Sequence, residues 1–98
     1  MVQINYIEQS DELEVVFKEV DIPEVVKMDN GIIFEFDSEN LSAIILPHFW
    51  QMIYQQLMYS ANPNDSSIEF DSFSEDLLKL KVNGQNVNIK LDLSKIEN

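Results

Sequence analysis

Ninety-eight residues fit one domain, and 18 Asp and Glu against 6 basic residues, all lysine, give a net charge of −12 at pH 7. The 45% hydrophobic content supplies core material and argues against intrinsic disorder, which needs low hydrophobicity as well as high charge. The shortage of bases argues against nucleic acid or an anionic membrane as partner, because both are held by Lys and Arg at phosphates.

The chain has no cysteine, which removes disulfides, thiolate metal sites and cysteine nucleophiles. Its one histidine, His48, removes any multi-histidine metal site. The N-terminal residues lack the basic and apolar regions of a signal peptide, and the stretch from Ile44 to Tyr59 is too polar and short to span a bilayer. These features lead to the expectation of a cytoplasmic protein.

Along the chain, Val2, Ile4 and Tyr6 alternate with polar residues, and so do Leu13, Val15 and Phe17. A four-residue turn makes them a hairpin that pairs Tyr6 with Leu13, Ile4 with Val15 and Val2 with Phe17. Val20 to Asn30, with Pro23 unable to donate to a ladder, is read as a connection. Ile32–Phe36 and Leu41–Leu46 form a second hairpin, with Phe36 opposite Leu41, Phe34 opposite Ala43 and Ile32 opposite Ile45. Ile33 and Ile44 would pair on the other face, making this hairpin apolar on both sides.

Pro47 suits a first helical turn, and His48 to Ser60 contains no glycine or further proline. Phe49, Ile53 and Leu57 recur at i, i+4 and i+8, with Trp50 beside them, which predicts a helix with one apolar face. Met52, Tyr59 and part of Tyr54 lie off that stripe. Ala61–Ser67 has loop composition, and Ile68–Asp71 is a candidate short strand. Leu78, Leu80 and Val82, then Asn83-Gly84, then Val87, Ile89, Leu91 and Leu93 carry a type I′ hairpin signature, with Leu80 facing Val87 and Leu78 facing Ile89. The resulting expectation is a single α+β domain, residues 1–98, in the order ββββαββ: one antiparallel sheet of three hairpins with a helix on a face.

Two blocks carry a family resemblance. The first is Ile4-Asn5-Tyr6 followed by the acidic turn and Ser10-Asp11-Glu12-Leu13-Glu14-Val15. The second runs from Asp29-Asn30-Gly31 through Ile32–Asp37 to Leu41–Leu46. Over residues 2–47 the chain resembles the DUF2283 family of small bacterial proteins, to which no function is assigned. The family's closing strand usually carries a glycine and then a glutamate, where this chain has Ala43 and Ile45. The resemblance implies a small antiparallel α+β fold and no activity.

The residues with possible chemistry have simpler explanations. Asp65, Glu69, Asp71, Glu75 and Asp76 could hold Ca²⁺ or Mg²⁺, but an EF-hand starting at Asn62 would place Ser67 at its glycine position and Phe73 at its glutamate position. A solvated acidic surface explains them better. His48 has no placed nucleophile or partner, so no catalytic, metal or cofactor residue is assigned. The aromatic cluster Phe49, Trp50, Tyr54 and Tyr59 reads first as core and second as an interface. Lys79, Lys81, Lys90 and Lys95 gather at the last hairpin, while no base lies between Lys27 and Lys79.

The favoured reading is a non-catalytic protein–protein interaction module that self-associates as a homodimer. Its candidate interface is Trp50, Met52, Tyr54, Met58, Tyr59, Ile33 and Ile44. The alternative is an acidic inhibitor of a basic partner protein, of the antitoxin, immunity-protein or nucleic-acid-mimic kind. A carboxylate- and metal-dependent enzyme is the third reading.

Overall fold

A computed structural model describes residues 2–57, 67–74 and 76–91. The strands are β1 (Gln3–Ile7), β2 (Glu12–Val16), β3 (Glu24–Lys27), β4 (Ile33–Asp37), β5 (Asn40–Leu46), β6 (Ile68–Ser74), β7 (Leu77–Val82) and β8 (Gln85–Lys90). A short helix, α1 (Phe49–Ile53), and a 3₁₀ turn (Tyr54–Gln56) lie between β5 and β6. The fold is thus antiparallel α+β, as the alternation predicts. The single sheet is corrected to two: five strands in the order β1-β2-β5-β4-β3, and three in the order β6-β7-β8. Contacts group the chain into two compact units, residues 1–49 and 50–98.

In the first unit, Tyr6 pairs with Leu13 and Ile4 with Val15, as the polar turn requires. The stretch read as a connection contains β3, which pairs with β4. Pro23 does not prevent this, because it sits just before the strand and β3 lies at the sheet edge. Strands β2, β5, β4 and β3 form a Greek key whose long connection, residues 17–23, crosses from β2 to β3 at one end of the sheet. The turn from β3 to β4 depends on Gly31 at φ 92°, and Asn30 Oδ1 accepts from the Ile32 amide at 3.0 Å.

The second hairpin departs from its predicted register. Phe36 lies opposite Leu41, but Glu35 lies opposite Ala43, so Ser42 is an extra residue in β5. Its carbonyl accepts from the amides of both Phe17 (2.8 Å) and Lys18 (3.1 Å), where the chain leaves β2. Its buried hydroxyl has no partner among the described residues. Beyond this bulge every pair moves by one residue. Phe34 meets Ile44, and Ile33 meets Ile45. Ile44 therefore joins Leu13, Val15, Phe34 and Leu46 in the core and leaves the face it is predicted to share with Ile33.

In the second unit, Leu80 faces Val87 and Leu78 faces Ile89, as predicted. Asn83 (φ 52°) and Gly84 (φ 79°) supply the two positive angles of the turn. The candidate strand at Ile68 extends to Ser74 and pairs with β7, with a register shift at Asp71 that turns both Phe70 and Phe73 toward the Leu80 and Leu78 side. Leu78, Leu80, Val82, Val87, Ile89 and Leu91 form its core with Ile53.

The predicted helix over 48–60 is shorter. Helical turns end at Gln56, and Leu57 is extended (φ −86°, ψ 131°). Neither end has compensating charge, and a helix this short is marginal by itself. Gln56 instead closes the open edge of β8. Its amide nitrogen donates to the Asn88 carbonyl and its amide oxygen accepts from the Asn88 amide, both at 2.8 Å. Gln56→Ala is expected to cost about 1 kcal/mol in chemical denaturation, the low end for two bonds whose groups water can reach. Gln56→Glu, which keeps the acceptor and loses the donor, should retain part of that difference.

Candidate functional site

Strand alternation gives the five-stranded sheet two unlike faces. The core face carries Ile4, Tyr6, Leu13, Val15, Phe34, Ile44 and Leu46. Tyr6 anchors it to the start of α1. Its hydroxyl donates to Asp11 Oδ1 at 2.6 Å, its ring lies 6.1 Å from that of Phe49, and the Phe49 amide donates to the Asp11 carbonyl at 2.9 Å. Burial first, then the Asp11 hydrogen bond, then the charges of Asp11 and Glu8 push the Tyr6 hydroxyl up to about 12.

A folded value above the ordinary 10.0 means that this contribution is complete below pH 10 and is lost as pH rises toward 12. Melting profiles from pH 9 to 12 should fall for the wild type more steeply than for Tyr6→Phe. Equal slopes would show that the phenol does not govern this window.

The opposite face is built in rows. One row places Glu14 beside Ile45 and Ile45 beside Ile33; the next places Val16 beside Ala43 and Ala43 beside Glu35. Residues 18–21 of the β2–β3 crossing stand along it. Together they enclose a groove of about 410 Å³, lined by Glu14, Val16, Lys18, Glu19, Val20, Asp21, Glu35, Ala43 and Ile45. Its floor is apolar and four of its lining side chains are carboxylates. Its one lysine, Lys18, is paired with Asp37 at 2.7 Å.

Among the described residues, no group of three or more His, Asp and Glu converges as a metal site. The four groove carboxylates are thus spread around an apolar floor, an arrangement suited to an extended cation with an aliphatic stem.

The described members of the predicted interface differ in burial. Ile44 is core because of the Ser42 bulge. Ile33 is half-buried on the groove face, beside Ile45. On the helical segment, Trp50 and Met52 are half-buried and Tyr54 is 55% exposed. Met58 and Tyr59 lie outside the described residues, as do Asp65, Glu75 and Lys95. His48 is exposed, with φ 50°, at the corner between β5 and α1.

Lys79, Lys81 and Lys90 are exposed on the sheet face opposite Leu78 and Leu80, as the alternation predicts. Asn86 and Asn88 share that face, and Glu69 lies opposite Lys81.

Sequence reasoning missed the groove, whose parts come from β2, β4, β5 and the crossing. The signal available was the two-sided apolarity of the second hairpin. A scan against protein-family models, a search of curated proteins and a search of solved structures each return no match.

Proposed function

We propose that this chain is a non-catalytic protein-interaction module that binds lysine or arginine side chains of a partner protein in the groove over the five-stranded sheet. The observation that carries this reading is the pairing of an apolar floor (Val16, Ala43, Ile45) with a rim of Glu14, Glu19, Asp21 and Glu35. A lysine or arginine stem can cover apolar surface while its head meets a carboxylate. Net charge supports a cationic ligand, because −12 raises the encounter rate with basic surfaces. The resemblance of residues 2–47 to the DUF2283 family adds no activity to this reading.

The test is titration with a short oligolysine peptide at low salt. Exposed ion pairs are each worth up to about 1 kcal/mol. The double variant Glu14→Gln/Glu35→Gln is therefore expected to bind roughly tenfold more weakly, since 1.4 kcal/mol is a factor of ten. Binding should also weaken as salt shortens the screening length. Equal affinity of the two proteins would remove the groove from the account.

Self-association as a homodimer is the second reading. It is favoured by the exposure of Tyr54 beside half-buried Trp50 and Met52, residue types enriched in interface centres.

A further inference from the structure

The two units differ sharply in charge. Residues 1–49 hold eleven Asp and Glu and two Lys, a net of −9; residues 50–98 hold seven and four, a net of −3. The described lysines of the second unit are also segregated. Lys79 and Lys81 alternate along β7 with the buried Leu78 and Leu80, and Lys90 follows the buried Ile89 on β8. All three stand exposed on one open sheet face, together with the uncharged Asn86 and Asn88 and with Glu69 opposite Lys81.

We propose that the lysine face of the second unit in one copy docks into the acid-rimmed groove of the first unit in another copy. This inference rests on the reading of the groove as a site for cationic side chains and names their source.

Strand geometry makes the two surfaces commensurate. Lys79 and Lys81, two residues apart on one strand, have Cα atoms roughly 7 Å apart, and Glu14 and Glu35, two strands and one row apart, roughly 12 Å. Flexible four-carbon lysine stems span that difference, lie along Val16, Ala43 and Ile45, and bring their ammonium groups to the rim. Lys18 does not oppose them, because Asp37 already pairs with it. Contact between unlike surfaces is heterologous, so the product is a closed ring, a reciprocal dimer or an open series.

Charge-swap variants test this in the full chain by light scattering across a concentration series, with circular dichroism confirming that each variant is folded. The wild type is expected to gain mass with concentration. Lys79→Glu/Lys81→Glu and Glu14→Lys/Glu35→Lys are each expected to remain monomeric alone and to associate with one another when mixed. A wild type that stays monomeric overturns the inference, and so does association that neither swap alters.

Binding of oligolysine separates this inference from the reading beneath it. A monomeric protein that binds the peptide in a Glu14- and Glu35-dependent way retains the groove and loses the second copy as its occupant. A protein that neither associates nor binds the peptide loses both.

Discussion

Replacing Ile44 by serine is expected to unfold the first unit at much lower denaturant than replacing its neighbour Ile45 in the same way. Ile44 is fully buried between Val15 and Phe34, whereas Ile45 lines the groove and is only half-buried. Truncating a fully buried isoleucine to a small side chain costs about 2–5 kcal/mol, through lost transfer energy and the cavity left behind. A serine hydroxyl buried there without a partner adds to that cost. Small domains hold only about 5–15 kcal/mol in total, so the Ile44 variant should have a much lower midpoint. The Ile45 variant should keep most of its stability. The comparison tests the Ser42 bulge directly, because without that extra residue the two isoleucines would exchange faces. Similar midpoints for the two variants would contradict the register.

Replacing Phe49 by alanine should have an effect of the same order. Phe49 is fully buried, meets the Tyr6 ring in a tilted contact and follows directly on the turn at Pro47 and His48. Truncation of a buried phenylalanine costs about 3–5 kcal/mol. Its backbone amide bond to the Asp11 carbonyl is independent of the side chain, so the start of α1 should stay tied to the first hairpin in the folded fraction. Combining Phe49→Ala with Tyr6→Leu, which removes the ring at position 6, should cost less than the sum of the two, because the ring contact is removed once and not twice. Chemical denaturation of the two single variants and the double variant checks both points. Strict additivity would mean that the 6.1 Å ring contact contributes nothing of its own.

Local chemistry made some of this fold legible. Asn83-Gly84 between alternating runs identifies its hairpin residue by residue, because both turn positions need positive φ and the flanking leucines need one face. The first hairpin is equally readable, since a one-residue slip would separate Tyr6 from Leu13. The second hairpin was readable only up to Leu41. An extra Ser42 leaves no mark in an alternating string that is apolar at nearly every position, and its cause lies in a distant segment, at the amides of Phe17 and Lys18. Strand β3 was hidden because Pro23 marks a place where pairing stops, and a short edge strand can begin immediately after it. The helix was overestimated because its apolar spacing continues to Leu57 while the backbone does not. Gln56 takes a partner on β8 that no helical periodicity specifies.

The groove was hidden for the same kind of reason. Glu14 and Glu35, read along the chain, are polar positions of alternating strands and suggest only a solvated face. The Greek key places them in adjoining rows on either side of Ala43 and Ile45. The crossing segment then contributes Glu19, Val20 and Asp21 along the same face. Strand order, which alternation does not encode, turns a general surplus of negative charge into a localised surface with an apolar floor.

The most direct test is amide chemical-shift mapping of the ¹⁵N-labelled chain during titration with a short oligolysine peptide. The expected result is saturable shifts concentrated at Glu14, Val16, Lys18 to Asp21, Glu35, Ala43 and Ile45. Shifts spread evenly over the acidic surface, or saturable shifts centred elsewhere, would contradict the groove as the binding site.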